Sequence, residues 1–91
     1  MEREEIIKIF DNDKTERGTM YRNDPESYID VWHTTKLLEV YVNMTNGHRI
    51  HVMFSDRKEY VDISSDKYLG LGSTLISPIS DIEEIDVRWR D

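Results

Sequence analysis

The sequence predicts a mainly β fold, a small barrel or bent antiparallel sheet, and three observations carry that expectation. Residues 37–64 alternate apolar and polar side chains with a period of two, as strands with one wet face do. That stretch is punctuated by Thr45-Asn46-Gly47 and by Ser55-Asp56-Arg57-Lys58, both of turn-forming composition. Near the other end, Ile85, Val87 and Trp89 alternate with Glu84, Asp86, Arg88 and Arg90 in the same way.

Taken in order, residues 1–12 fit two states. Glu2, Glu4 and Glu5 suit the first turn of a helix, whereas Ile6-Ile7-Lys8-Ile9-Phe10 is rich in β-branched residues and suits a strand. A helix here makes the chain α+β. Residues 11–18 are polar and read as a loop, after which Thr19-Met20-Tyr21 suits a short strand able to pair with residues 5–10. Asn23-Asp24-Pro25-Glu26 predicts a helix start, with Asp24 as N-cap and Pro25 at the first helical position. One or two helical turns carrying Tyr28, Ile29 and Trp32 are favoured over a strand.

The register of the central stretch follows from its turns. A two-residue Asn46-Gly47 loop would set Val42 opposite His51 and mix the two faces, so it fails. A three-residue loop, Thr45-Asn46-Gly47 with Gly47 left-handed, pairs Met44 with His48, Val42 with Ile50, Val40 with Val52 and Leu38 with Phe54. Continuing the meander through residues 55–58 pairs Phe54 with Glu59, Val52 with Val61 and Ile50 with Ile63. On the wet face this lines up Tyr41, His51 and Asp62, flanked by Asn43, Arg49 and Ser64 on one side and Glu39, Met53 and Tyr60 on the other.

Residues 65–73 read as a loop, and Gly70 and Gly72 lack the preceding strand, following helix and lysine of a phosphate cradle. Residues 74–79 suit a strand that Pro78 pushes to a sheet edge or a bulge. Ser80-Asp81-Ile82-Glu83 has capping-box spacing and predicts one tight turn before the final strand. Five such strands fit an SH3-like or Sm-like barrel, or a strongly bent sheet, with one or two short helices in the first 35 residues. The labels describe shape and claim no kinship.

Composition narrows the function. Ninety-one residues make a single domain, 1–91, with one modest core. The absence of cysteine excludes a disulfide framework and thiolate metal sites, and no signal peptide or apolar span is evident, which points to a cytoplasmic protein without a membrane segment. The net charge is −7, with acids concentrated in residues 1–35 and 62–91. Such a balance repels nucleic-acid phosphate, so direct nucleic-acid binding is disfavoured.

Tyr41, His51 and Asp62 are the side chains that most resemble a site, because an Asp62 acceptor would make His51 a better base. A solvated polar row explains the same residues more simply, and no serine is placed as a nucleophile. His48 and His51 fall on opposite faces, which argues against a shared metal, and no cofactor motif is present. Trp32 and Trp89 read as core anchors. Asp81, Glu83, Glu84 and Asp86 form an acidic cluster, while Tyr41, Met53 and Tyr60 give the wet face an interface-like composition. The N-terminal segment, a second copy or another protein is expected to cover that face.

The expectation is therefore a non-enzymatic acidic module, an inhibitor or adaptor docking on a basic protein surface, for instance one that binds nucleic acid. Asp81, Glu83, Glu84, Asp86, Tyr41, Met53 and Tyr60 would contact the partner. The composition is compatible with inhibitors carried by phages or other mobile elements. The alternative is an oligomeric binder of an anionic, nucleotide-like ligand through Tyr41, Arg49, His51 and Asp62.

Overall fold

The computed structural model describes residues 1–21, 28–55, 57 and 59–90, with the backbone alone for 19–21 and 28–30. The order is helix α1 (Arg3–Phe10), strands β1 (Glu16–Tyr21), β2 (Tyr28–Thr34), β3 (Leu37–Met44), β4 (Arg49–Met53), β5 (Glu59–Asp62), β6 (Tyr68–Leu71) and β7 (Leu75–Pro78), a 3₁₀ turn (Ile79–Asp81) and β8 (Ile82–Trp89). They build two antiparallel sheets, a five-stranded one in the order β1-β2-β5-β6-β7 and a three-stranded one in the order β4-β3-β8. The fold is mainly β with one N-terminal helix, and the sheets do not close into a barrel.

Residues 3–10 are helical because their capping and their apolar spacing agree. The Glu2 backbone N–H donates to Glu5 Oε1 at 2.9 Å, and Ile6 and Phe10, one turn apart, are both fully buried. β1 therefore pairs with β2 and not with residues 5–10. Residues 28–34 form a strand where helical turns were favoured. The β-branched and aromatic content of Tyr28-Ile29-Asp30-Val31-Trp32 prevails there, since β1 and β5 both supply ladder partners. The expected cap at Asp24 and Pro25 lies outside the described residues.

The first hairpin has the register its turn demands. Val42 pairs with Ile50 and Val40 with Val52, and the Met44 N–H donates to the His48 carbonyl at 2.7 Å. Gly47 takes φ +90°, the left-handed conformation that makes a three-residue loop possible.

The second hairpin does not exist. β5 pairs with β2 and β6 in the larger sheet, and β8 takes the free side of β3. The alternation of residues 59–63 marks Val61 and Ile63 as core, and both are buried, but alternation fixes a face and not a neighbour.

Residues 68–71, expected in a loop, form β6, with Leu69 and Leu71 fully buried. Gly70 is needed there because a Cβ would lie 3.1 Å from Asp62 Cβ on the paired strand. β7 ends the larger sheet with Pro78 in its last position, as the missing donor requires. The tight turn after it begins at Ile79 and has no side-chain cap, so the capping box at Ser80 is not formed. One core lies between the sheets and α1, built on Ile6, Phe10, Trp32, Leu37, Val40, Val61, Leu71 and Ile82 among others. Trp32 is buried as expected, while Trp89 packs against the core half-buried.

Candidate functional site

The wet face of the three-stranded sheet is set by two ladders. β3 presents Glu39, Tyr41 and Asn43, β4 pairs them with Met53, His51 and Arg49, and β8 pairs them with Arg88, Asp86 and Glu84. Cross-strand neighbours on one face of a sheet are close enough to interact, and here they form a connected polar layer.

Glu39 is its pivot. Its carboxylate is only 11% exposed, and a buried charge needs partners. Among the described residues these are His51 Nε2 at 2.9 Å from Oε2 and Arg88 Nη1 at 3.4 Å from Oε1. The His51 ring in turn stacks on Tyr41 with centroids 4.3 Å apart and planes within 6°. With one face of Tyr41 taken, the Arg49 guanidinium covers the other at 4.3 Å from the ring centroid. Arg49 also donates to Asn43 Oδ1 at 3.0 Å and lies 3.5 Å from Asp86.

Asp62, expected beside His51, sits in the other sheet between Val31 and Gly70, where it accepts hydrogen bonds from the Ser64 N–H at 2.9 Å and hydroxyl at 2.7 Å. The Tyr41, His51 and Asp62 row is thus replaced by His51, Tyr41 and Asp86. Tyr60 likewise lies opposite His33 in the larger sheet, so Tyr41, Met53 and Tyr60 do not share a face. The N-terminal segment does not cover the face either. α1 packs against the core, leaving Met53 60% exposed.

Arg88 is the member that the sequence does not reveal, and Glu39 is placed by it on the wet face but not as the acceptor of His51. The hairpin register itself placed Glu39 opposite Met53, diagonal to His51 and within reach of a long side chain, so a signal for Glu39 was present. Arg88 gave none, because nothing local says that β8 lies beside β3.

The layer has little chemistry to spare. The imidazole is held by a carboxylate and an aromatic ring, and the guanidinium by a carboxylate, an amide and an aromatic ring. Among the described residues, no group of three or more His, Asp or Glu is arranged to hold a metal ion, and no helix is long and apolar enough to cross a membrane.

The acidic residues take a different arrangement. Asp81, Glu83, Glu84 and Asp86 are all exposed along β8 and the turn before it. Adjacent residues of a strand normally face opposite ways, but the ladder jumps from Asn43–Glu84 to Met44–Ile82, so Glu83 is the extra residue of a β-bulge. Glu83 and Glu84 both reach water as a result. The amino group of Met1 donates to the Ile82 carbonyl at 2.7 Å, which starts the chain leading into α1 beside this bulge.

Compared with protein-family models, characterised proteins and solved structures, the chain matches none.

Proposed function

We propose that this chain is a non-enzymatic binding module whose acidic side, carried by β8 and the start of α1, docks on a basic surface of another protein and acts as an inhibitor or adaptor. The observation that carries the proposal is the bulge at Glu83. It leaves the adjacent carboxylates of Glu83 and Glu84 both exposed, on the strand whose Ile82 carbonyl holds the Met1 amino group. A concentrated field of one sign speeds association and makes it salt-sensitive. A nucleic-acid-binding surface is the kind of basic target such a field suits.

Capture of an anionic ligand by Arg49 and His51 is less well supported, because both side chains already have internal partners. The two readings separate by mutation. Protein captured from host lysate by the tagged chain at low salt should be lost above about 0.5 M salt, where charges are screened within a few ångströms. It should also be lost with Glu83→Lys/Glu84→Lys, which leaves the Arg49–Asp86 pair intact. Capture that survives both treatments, or that fails with Arg49→Ala instead, rejects the docking proposal.

A further inference from the structure

The edge of the smaller sheet at β4 is unguarded, and its own sequence fits it. Hydrogen-bonded pairs alternate with open pairs along an antiparallel ladder. The Met44 N–H bonds to the His48 carbonyl, and the Phe54 N–H to the Leu38 carbonyl at 2.9 Å. Between them, Val42–Ile50 and Val40–Val52 are the hydrogen-bonded pairs, so the N–H and C=O groups of Arg49, His51 and Met53 point away from β3. No strand among the described residues lies on that side.

Natural edges are normally guarded by charged side chains, proline or a covering element. β7 ends in Pro78 and is four residues long, β1 carries Glu16 and Arg17, and β8 has α1 starting against its Ile82 carbonyl. β4 has neither proline nor, among the described residues, a covering element, and its one charged residue is Arg49. Arg49 and His51 both lean inward across the sheet, onto Tyr41, Asp86 and Glu39, and so leave the backbone edge uncovered. Met53, 60% exposed, stands beside it.

We propose that β4 pairs antiparallel with β4 of a second copy of this chain, with His51 opposite its own counterpart, joining two three-stranded sheets into one of six strands. This register uses every outward-pointing group from Arg49 to Met53 and keeps both faces in phase. On the wet face it sets Arg49 against the partner's Met53, so the two arginines do not meet. On the core side it sets half-buried Ile50 against the partner's Val52.

Charge points to the same occupant. Residues 40–55 contain no acid although the chain carries −7. The nearest acids of the smaller sheet, Glu39 and Asp86, are paired with His51 and Arg49. The contact is short, below the usual size of a stable interface, so dissociation constants on the order of 10–100 μM are expected. Added salt should strengthen the dimer by screening net repulsion, the opposite of its effect on acidic docking.

Sedimentation velocity across 5 μM to 1 mM tests the proposal, together with Met53→Lys, which sets a lysine against the partner's Arg49, and Ile76→Lys on the opposite sheet as control. The wild type and Ile76→Lys should dimerise, and Met53→Lys should bind itself at least tenfold more weakly with an unchanged circular dichroism spectrum. Amide exchange at residues 49, 51 and 53 should slow with concentration in the wild type alone. A chain that stays monomeric at 1 mM overturns the proposal. So does a dimer that Met53→Lys leaves intact, which would place another surface at the contact.

Discussion

Glu39 shows how a sheet surface takes in a charge. A carboxylate this buried is tolerable only while both His51 and Arg88 reach it, and charge-assisted hydrogen bonds of this kind contribute about 1.5–3 kcal/mol. Glu39→Gln keeps the shape and removes the charge. It should lower unfolding stability by about 1–2 kcal/mol, and a double-mutant cycle with His51→Ala in urea should show coupling of at least about 0.5 kcal/mol. Additive effects would mean that the pair is not formed. At Gly47 the expected cost has a different origin, since an added Cβ would meet nothing within 4 Å. Gly47→Ala should still lose about 1 kcal/mol from its left-handed backbone, and Gly47→Asn distinctly less, because asparagine tolerates that region. Equal denaturation midpoints for the two variants would contradict this.

At the scale of elements, α1 is both cap and core. Phe10 and Ile6 are fully buried, and Arg3 donates to the Ile63 carbonyl at 2.9 Å, so the helix ties the larger sheet to the core it helps to cover. Phe10→Ala should cost about 3–5 kcal/mol, a large share of the stability of a domain this small, and should appear as a sharply lower urea midpoint with an unchanged slope. The elements also show which parts of the fold were legible. The β3–β4 hairpin could be read because three residues of turn fix its register, so every pair follows from local chemistry. The β2–β5 and β3–β8 partnerships could not, because their strands lie tens of residues apart and alternation says only which side chains share a face. β6 was hidden by its glycine, which looks like loop punctuation until Asp62 is seen against it. The candidate site followed the same division. Tyr41, Arg49 and His51 were found through the hairpin, and Asp62 and Tyr60 were misplaced with the strand that carries them.

Across the smaller sheet, charge is sorted by side. The outer strand β8 carries Glu83, Glu84 and Asp86, whereas the outer strand β4 carries no acid, so one small sheet offers two edges of opposed character. A partner with a basic surface and a second copy would therefore approach from different sides. Docking and self-association should be independent, and Met53→Lys should still be captured by the basic partner that Glu83→Lys/Glu84→Lys loses. Loss of both activities in either variant would show that the two edges act together.

The central position of β3 also bears on how the chain acquires its structure. β3 is flanked by β4, only a turn away, and by β8, which begins at Ile82, while the Met1 amino group bonds across 81 positions to that same Ile82. Contacts of such long sequence separation demand loop closure before they return any stabilisation, and chains dominated by them fold in milliseconds to seconds. The β3–β4 hairpin can form early, but Val40 and Val42 stay open on one flank until residues 82–89 arrive. During synthesis that flank is exposed while some forty further residues are added, on the order of 2–8 s at ordinary elongation rates. Stopped-flow refolding should accordingly show β8 substitutions such as Ile85→Val speeding unfolding more than they slow folding, and hairpin substitutions such as Val42→Ala doing the reverse.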